Sequence, residues 1–573
     1  MHRVLLVGGC LFLTIPSVYS QNDFTLCHHA TALFTNARFI TLNPKQPTVE
    51  AVAIRNHRIV ALGKEKDLSV HCRDENTRII DLKGATVTPG LIDTYSQFVL
   101  YGWLATHALD LSTTNVFQQP GWQPVKSLSE FLTAIRNKMT TDDSWLVVNG
   151  YDRARMPGAP LTRTMLDEIS STKPILVMYS SGHEALLNQA AMDRLPALKS
   201  SLPVTVPENG LLKEGALQKA LIKVIQSAQL QQAIEVAATR YAAAGYTTVT
   251  ETQASQDWLN AYYSLTSQPS FPVDVVLNAE TVGDKQRFAM NELDNPRLYN
   301  GPVRLTVDGN IRDYHAYLSS PYYKVPDDLP TAWAGQLRYN LRTLEKMLVK
   351  AARANVQVAL ECQGDAAIDV ALNLIQKVQQ TQNDFTFRPI LINAQLTRQD
   401  QLYRIRMLGL NINWFSPHLY YWGESMCRQY LGAPRALNEN PLAQARNILG
   451  STPIQANSPA TPPSPLAMMR QNLTRQIQRW NEKPNAQCPD VFNSQQRLSL
   501  EDSLRALTIE AAKLYGMDDD KGTLEVGKLA DMTLFSHDPL LEKQVDIQVL
   551  GTVSRGVLHL GGHAEENPPP QAL

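Results

Sequence analysis

The chain has 573 residues, of which 44% are hydrophobic and 19% are charged. This composition is ordinary for a folded globular protein and excludes a disordered one. Lys and Arg number 53 and Asp and Glu number 54, so the formal net charge at pH 7 is −1. A near-neutral chain lacks the concentrated basic charge that polyanions require, and we expect no nucleic-acid partner.

The first twenty residues have the pattern of a secretory signal peptide. Arg3 gives a short basic start, residues 4–16 are mostly apolar, and Val18-Tyr19-Ser20 is a small-x-small cleavage site. A membrane anchor is the alternative, but about thirteen apolar residues are fewer than the roughly 20 that span a bilayer. We therefore predict an exported protein, periplasmic or secreted, without a membrane span once residues 1–20 are removed.

Five of the six cysteines belong to the mature chain, and export permits disulfides. Cys27 and Cys72 bracket an amino-terminal β-rich segment, and Cys427 and Cys488 flank a late loop-rich region. We predict the pairs Cys27–Cys72 and Cys427–Cys488. Cys362 ends an apolar run and is predicted to be a buried free thiol.

Both ends of the mature chain are rich in β-type patterns. Short runs separated by turn residues fill residues 31–90, and the same pattern returns at 522–535 and 549–560. We predict one small β-sandwich domain built from residues 21–89 and 522–564. Residues 565–573, which contain three consecutive prolines, are predicted to be a flexible tail.

The middle of the chain alternates apolar strand candidates with helical segments. Such alternation is typical of βα units around a parallel sheet, and we predict an α/β fold with a (β/α)8 TIM-like barrel over residues 90–521. Ser127 and Glu130 form a capping box that opens a helix, and an apolar face from Leu500 to Leu514 predicts another. The strand candidates are 145–148, 174–179, 246–250, 273–277, 303–307, 356–362, 389–392 and 410–415.

Several motifs resemble one enzyme superfamily. Thr88-Pro89-Gly90-Leu91-Ile92-Asp93, Gly527-Lys528-Leu529-Ala530-Asp531 and the paired β-rich ends are similar to the amidohydrolase superfamily. Internal motifs at 149–152, 181–188, 245–251, 307–309, 364–369 and 417–423 narrow the resemblance to the amidohydrolase-3 branch, which includes N-substituted formamide deformylases. The resemblance implies hydrolysis of C–N bonds with one or two divalent metals, such as zinc, at the carboxyl ends of the barrel strands.

The family's metal ligands are replaced at every position that can be carried over. An arginine stands in place of the carboxylated lysine and cannot become a carbamate, and amide oxygens are poor ligands for zinc. We therefore expect no metal cofactor. The replaced positions are Tyr95, Gln97, Arg304, Glu361, Asn393, Gln455 and Asn457.

Arg304 and Glu361 stand at the ends of neighbouring predicted strands. We predict that they form an ion pair at the barrel mouth and that the nearby amides fill its remaining hydrogen bonds. The alternative is that these residues are unrelated surface polar groups. The stability of an Arg304→Ala variant separates the two interpretations, because surface substitutions usually change stability by only about ±0.5 kcal/mol.

Four retained residues are candidates for substrate binding: His183, His418, Tyr421 and Trp422. The two histidines match positions that help to bind substrate in relatives, although either could instead hold a loop in place. The two aromatic residues could equally be packing residues. Glu251, Asp308 and Asp365 are interpreted as hydrogen-bond acceptors at strand ends rather than as catalytic bases.

Three hypotheses about function remain. The first is an exported protein that has lost metal-dependent catalysis and binds a small amide-like ligand. The second is an active hydrolase with a metal-free or unusual-metal site, in which Glu361, Asp365 or Glu251 is the base and His418 or His183 the acid. The third is an interaction protein that uses its outer surface. The ligand and the oligomeric state stay open.

Overall fold

The structure is a computed structural model, and it describes residues 27–561 except 143, 157–158, 199–203, 253, 284–294, 382–387, 481–486 and 542–545. The predicted signal peptide and the proline-containing tail lie outside the described residues. Within these ranges, no helix has both the length and the apolar character needed to cross a bilayer.

Three sheets contain the strands. The strands are β1 (Ala32–Ile40), β2 (Thr48–Val49), β3 (Ala51–Arg55), β4 (Arg58–Gly63), β5 (Arg78–Pro89), β6 (Leu91–Ile92), β7 (Ala108–Asp110), β8 (Leu146–Tyr151), β9 (Ile175–Tyr179), β10 (Glu184–Leu187), β11 (Leu211–Lys213), β12 (Tyr246–Glu251), β13 (Asp274–Ala279), β14 (Leu298–Thr306), β15 (Val358–Cys362), β16 (Ile390–Asn393), β17 (Asn411–Trp414), β18 (Met532–Phe535), β19 (Val549–Ser554) and β20 (Val557–Leu560).

Helices connect these strands and cover the sheets. The α-helices are Glu65–His71, Phe98–His107, Leu128–Asn137, Arg163–Asp167, Gln189–Arg194, Glu214–Val224, Ser227–Ala243, Leu259–Thr266, Leu341–Arg353, Asp365–Thr381, Gln399–Met407, Pro417–Ser425, Ala433–Ala436, Leu442–Leu449, Pro465–Thr474, Leu500–Ala506 and Ile509–Leu514. A π-helical turn, Met426–Tyr430, extends the helix Pro417–Ser425.

The two ends of the chain build one sheet. Its order is β20-β19-β18-β5-β1-β3-β4, with β2 paired to β1. Strand β5 joins the two ends, because it pairs parallel with β1 and antiparallel with β18. Phe34, Ile54, Val87, Met532 and Val553 are buried in one apolar cluster on this sheet, so the carboxyl-terminal strands complete a core that the amino-terminal strands begin.

The second sheet is the barrel. Its order is β17-β16-β15-β14-β13-β12-β6, and every pair in it is parallel. Residues 453–457 close the ring, because Trp414 donates to the Pro453 carbonyl (2.9 Å) and Asn457 donates to the Tyr95 carbonyl (3.0 Å). The fold is therefore the predicted α/β class with a TIM-like barrel. Alternate residues such as Leu305 and Leu360 are buried in the cluster that the surrounding helices form.

The expected membership of two strands in the barrel is wrong. Strands β8 and β9 belong to a separate five-stranded sheet of order β11-β10-β9-β8-β7, which has its own apolar cluster. The capping-box helix Leu128–Asn137 contributes Phe131 and Ile135 to that cluster. An apolar run of strand length does not reveal which sheet it joins, because the strands of both sheets are largely buried.

The apolar face from Leu500 to Leu514 is not one helix. It divides into Leu500–Ala506 and Ile509–Leu514 at Thr508, whose φ of −129° and ψ of −96° are not helical. The break leaves the Leu507 carbonyl free to accept from the backbone N–H of Ile92 (2.8 Å). The second helix then brings Leu514 against the barrel strands.

Both cysteine pairs form disulfides. Cys27–Cys72 joins residues 45 positions apart, and Cys427–Cys488 joins residues 61 positions apart. Cys362 is a buried free cysteine, and burial raises the pKa of its thiol well above the ordinary value.

Candidate functional site at the barrel mouth

An ion pair lies between neighbouring barrel strands. Arg304 on β14 donates from Nε (3.1 Å) and Nη2 (2.7 Å) to Oε2 of Glu361 on β15. The Arg304 side chain is 6% exposed and the Glu361 side chain 2%. Both residues project into the barrel because the flanking residues, such as Leu305 and Leu360, face the surrounding helices. The predicted ion pair is therefore present and buried.

Two amides extend this pair. Nδ2 of Asn393 donates to Oε1 of Glu361 (3.2 Å), and Nε2 of Gln455 donates to Oδ1 of Asn393 (2.8 Å). Nε2 of His183 lies 3.9 Å from the same Oε1. Both oxygens of the carboxylate are thus engaged by protein donors. We call Arg304, Glu361, Asn393 and Gln455 the polar plug.

The other three replaced positions lie around the polar plug rather than in it. Tyr95 packs in an apolar cluster with Ala359, Ile392 and Leu514. Gln97 places its Nε2 beside Gly182, 3.2 Å from the position that a Cβ there would take. Across the part of the chain that the structure describes, no hydrogen bond joins the side chain of Gln97 or Asn457 to the polar plug.

Two of the alternative catalytic carboxylates accept hydrogen bonds from neighbouring helices and loops. Glu251 accepts from the backbone N–H of Val99 (2.9 Å) and from the Tyr262 hydroxyl (3.1 Å), both in helices outside the barrel. Asp365 begins the helix Asp365–Thr381 and accepts from the Ser319 backbone (2.9 Å). These hydrogen bonds support the structural interpretation of Glu251 and Asp365, and their role as bases stays a prediction.

Asp308 also has a structural role. Its two carboxylate oxygens accept three backbone N–H groups, from Gln363 (2.9 Å), Gly364 (2.8 Å) and Tyr317 (2.9 Å). Burial raises the pKa of this carboxyl to about 7 despite these donors. Asp308 thereby holds the loops that follow β14 and β15 together.

His418 forms a buried pair with Glu439. Its Nδ1 lies 2.5 Å from Oε1 of Glu439, and both side chains are at most 2% exposed. The ring packs against Phe415 and Trp422, with centroid distances of 5.4 and 5.2 Å. Tyr421 packs edge-on against Tyr420 and in a tilted arrangement against Trp422. These residues form a cluster next to the Cys427–Cys488 disulfide.

An open cavity of about 340 Å³ adjoins the polar plug. His183 connects the two, because it lines the cavity and faces Glu361. Burial raises the pKa of Glu184 to about 7, with a further contribution from the Asp313 carboxylate, and Lys213 opposes the shift from 2.9 Å. We call this space the mouth cavity. It is lined by His183, Glu184, Lys213, Gly309, Asp313, His315 and residues 336–339.

Comparison with known proteins identifies the family. The model of the amidohydrolase family matches residues 78–558. The chain belongs to the amidohydrolase family. It is 25% identical to the protein LONG AFTER FAR-RED 3 of Arabidopsis thaliana over 92% of this chain and 91% of that protein. It is 22% identical to N-substituted formamide deformylase of Arthrobacter pascens, covering 92% of this chain and 97% of the relative.

A solved structure supports the same fold. An uncharacterized metal-dependent hydrolase from Pyrococcus horikoshii superposes with a TM-score of 0.67 at 21% identity, covering 92% of this chain and 99% of that chain. Identity this low establishes the fold of this amidohydrolase and not its reaction.

The residues of this amidohydrolase do not suit the divalent metals of the family. Zinc is bound by imidazole, thiolate and carboxylate groups, whereas the replaced positions supply a phenol, four amides, one carboxylate and one guanidinium. The single carboxylate, Glu361, is already paired with a permanent cation, Arg304. Among the residues that the structure describes, no three His, Cys, Asp or Glu residues come together as a metal site.

Sequence reasoning missed most of the mouth cavity. Glu184 directly follows His183 in one of the family-like motifs, and Lys213, the last residue of β11, pairs with Glu184 on β10, whereas Asp313 and His315 follow β14 much later in the chain. The five-stranded sheet joins the first pair, and long-range packing adds the segment after β14. The polar plug could be predicted from the sequence, because each of its members stands at a position that the family resemblance defines.

Proposed function

We propose that this amidohydrolase has lost metal-dependent hydrolysis and acts as an exported protein that binds a small amide-bearing ligand in the mouth cavity. The observation that carries the proposal is the ion pair between Arg304 and Glu361. Arg304 puts a permanent positive charge at a position where the chemistry of the family requires a ligand for the metal cation.

Electrostatics favours the ion pair over a bound metal. A dication next to a buried guanidinium is repelled, and the repulsion is strong where water is excluded. Glu361 cannot bind a metal as well as Arg304, because its Oε2 accepts from Arg304 and its Oε1 accepts from Asn393. A hydrolase of this kind needs the metal to lower the pKa of water and to polarise the carbonyl. Without those two effects the polar plug has no means of activating water.

The mouth cavity supports a binding role. Its volume of about 340 Å³ falls at the lower end of the range for small-molecule sites, about 300–1,000 Å³. Its walls offer both donors and acceptors, because Lys213 and His315 stand beside Glu184 and Asp313. An amide presents one acceptor and one donor and can engage both kinds of group. Tyr339, which is 39% exposed at the rim, can cover an apolar substituent.

Export is supported by the two disulfides, which persist in oxidising compartments. The amino-terminal pattern of residues 1–20 supports the same localisation. Sequencing the amino terminus of the mature protein tests this part: cleavage after Ser20 is expected, and an intact Met1 in a cytosolic fraction would contradict it.

A ligand screen tests the binding role. Protein is titrated with N-substituted formamides and simple amides while the melting temperature is recorded. We expect at least one compound to stabilise the protein saturably and Tyr339→Ala to weaken that binding. Tyr403→Ala is the matched control, because Tyr403 is an exposed tyrosine, at 52%, that does not line the mouth cavity. Stabilisation that both variants lose equally, or no stabilisation by any compound, would contradict the proposal.

A second candidate is hydrolysis without a metal. The His418–Glu439 pair favours it, because a histidine oriented by a carboxylate is the usual arrangement of a general base. The test is release of formate from N-substituted formamides after treatment with a chelator. Turnover that survives the chelator and disappears in His418→Gln would establish this candidate and overturn the first one.

A further inference from the structure

A second open cavity lies beside the five-stranded sheet. Its volume is about 680 Å³. Leu161, Tyr179 and Leu186 give it buried, largely apolar walls, since each of them is at most 5% exposed. We call this space the sheet cavity. It is lined by Arg153, residues 160–164, Tyr179, Leu186, residues 207–209, Leu211 and Asp328.

Strands β10 and β11 contribute residues to both cavities. Glu184 lies opposite Lys213, and both line the mouth cavity. Two residues further along β10, Leu186 lies opposite Leu211, and both line the sheet cavity. Residues two apart on a strand point to the same face and lie roughly 6.6 Å apart. The two cavities are therefore neighbours on one face of the sheet.

Arg153 links the two cavities. It lines the sheet cavity, and its charge interacts with the carboxylates of Glu184 and Asp313 in the mouth cavity. The side chain is half-buried, yet among the described residues its guanidinium donates no hydrogen bond and forms no ion pair. An arginine has five N–H donors and no acceptor. Arg153 can therefore donate to an acceptor on a ligand that extends from one cavity into the other.

The far wall of the sheet cavity is held in place by hydrogen bonds. Nη1 of Arg163 donates to the Glu208 carbonyl (2.8 Å), and the charge of Arg163 is paired with Asp167 at 3.3 Å. The backbone N–H of Leu187 donates to the Gly210 carbonyl (3.0 Å). A wall that is already ordered loses little conformational freedom when a ligand binds.

We propose that the ligand of this amidohydrolase is an elongated amide whose nitrogen substituent runs from the mouth cavity along β10 and β11 into the sheet cavity. This inference rests on the function proposed for the mouth cavity and names the class of ligand. The amide group occupies the mouth cavity, where donors and acceptors lie side by side. An apolar end of the substituent packs against Leu186 and Leu211, and an acceptor within the substituent accepts from Arg153.

A homologous series of N-alkylformamides tests the length of the site. The full mature protein is titrated with the methyl, ethyl, butyl, hexyl and octyl compounds, and dissociation constants are measured by ligand-observed NMR. We expect the dissociation constant to fall from butyl to octyl by up to about fourfold for each added methylene group, because burial of a methylene group stabilises a complex by about that factor.

Leu211→Ala separates the sheet cavity from general hydrophobic binding. Leu211 lines the sheet cavity and not the mouth cavity, and it is half-buried, so the variant is expected to fold. N-octylformamide should bind this variant about fourfold more weakly, the equivalent of one buried methylene group, whereas N-ethylformamide should bind as it does to the parent. Leu560→Ala is the matched control, because Leu560 is a leucine on a short strand, is 47% exposed and lines neither cavity.

A ketone in the middle of the octyl chain tests the contact with Arg153. The ketone is expected to lose about tenfold in affinity in Arg153→Met, as for the loss of one hydrogen bond to a charged group, whereas N-octylformamide is expected to change little. An equal change for both compounds would overturn the contact with Arg153.

The remaining outcomes distinguish the two proposals. If short formamides bind and longer ones bind no better, or if Leu211→Ala affects N-octylformamide no more than Leu560→Ala does, the elongated ligand is overturned and the binding function of the mouth cavity stands. If no member of the series binds, both are overturned.

Discussion

Replacing Arg304 by methionine tests the polar plug in detail. Methionine keeps much of the length and the apolar volume of the side chain but removes both hydrogen bonds to Glu361. The variant leaves a buried carboxylate that faces only neutral donors, Asn393 (3.2 Å) and Thr306 (3.4 Å), and the more distant His183. Breaking a buried ion pair in this way costs about 3–5 kcal/mol, whereas a surface change costs at most about 0.5 kcal/mol.

The loss converts into a melting temperature. Unfolding entropy is roughly 2.1 cal/mol/K per residue near 60 °C. For 573 residues that amounts to about 1.2 kcal/mol/K if the chain unfolds cooperatively. A loss of about 4 kcal/mol therefore lowers the melting temperature by about 3 °C.

Differential scanning calorimetry of four proteins completes the test: the parent, Arg304→Met, Glu361→Gln and the double variant. The double variant is expected to recover most of the loss, because replacing both charges removes the unpaired carboxylate. Arg505→Met is the matched control, since Arg505 is 29% exposed and pairs with Glu501 on a helix surface. An Arg304→Met melting temperature equal to that of Arg505→Met would refute a buried plug.

Three further predictions concern other parts of the molecule. The Cys27→Ala/Cys72→Ala variant is expected to lose about 4 kcal/mol of stability in denaturant unfolding, as closure of a loop of 45 residues predicts, and an unchanged midpoint would contradict this. The raised pKa of Glu184, about 7, means that its contribution to stability is full below about pH 4.5 and is lost as the pH rises through 7. The melting temperature of Glu184→Gln should therefore rise relative to that of the parent as the pH increases from 5 to 8. A difference that stays constant over this range would exclude the raised pKa of Glu184. Lys521→Met removes the ammonium that the buried carboxylates of Asp274 and Asp531 share, and since Asp274 keeps Arg297 and Arg555, the loss falls mainly on Asp531. We expect a cost of about 3 kcal/mol, the lower end for a broken buried pair, in the same unfolding assay, and a neutral result would contradict this.

The sequence predicted the barrel strands that carry the site because each is an apolar run followed by a polar residue at its carboxyl end. Strands β14 to β17 lie within about two residues of the expected ranges, except that β14 begins at Leu298. The ion pair followed from strand adjacency, since neighbouring parallel strands end side by side. Tyr95 was harder to place, because strand β6 ends at Ile92 and the residues after it leave the strand geometry.

What the sequence could not show is the outcome of long-range packing. Glu251 ends a barrel strand, as a catalytic carboxylate would, yet its parity along β12 directs it towards the helices. The separate sheet that contains β8 and β9 has strands as apolar as those of the barrel. Arg155 and Arg312, whose guanidiniums both lie close to the Trp422 ring, are more than a hundred residues apart in the chain, and no local pattern connects them.

Metal content tests the central claim most directly. The protein is stripped with a chelator, dialysed against zinc or manganese, washed by gel filtration and analysed by inductively coupled plasma mass spectrometry. The same protein with an added histidine tag is the control for loosely bound metal. A buried guanidinium and a set of amides are expected to retain far less than one metal per chain. One tightly held metal per chain, lost on substitution of Glu361, would contradict the loss of metal-dependent hydrolysis.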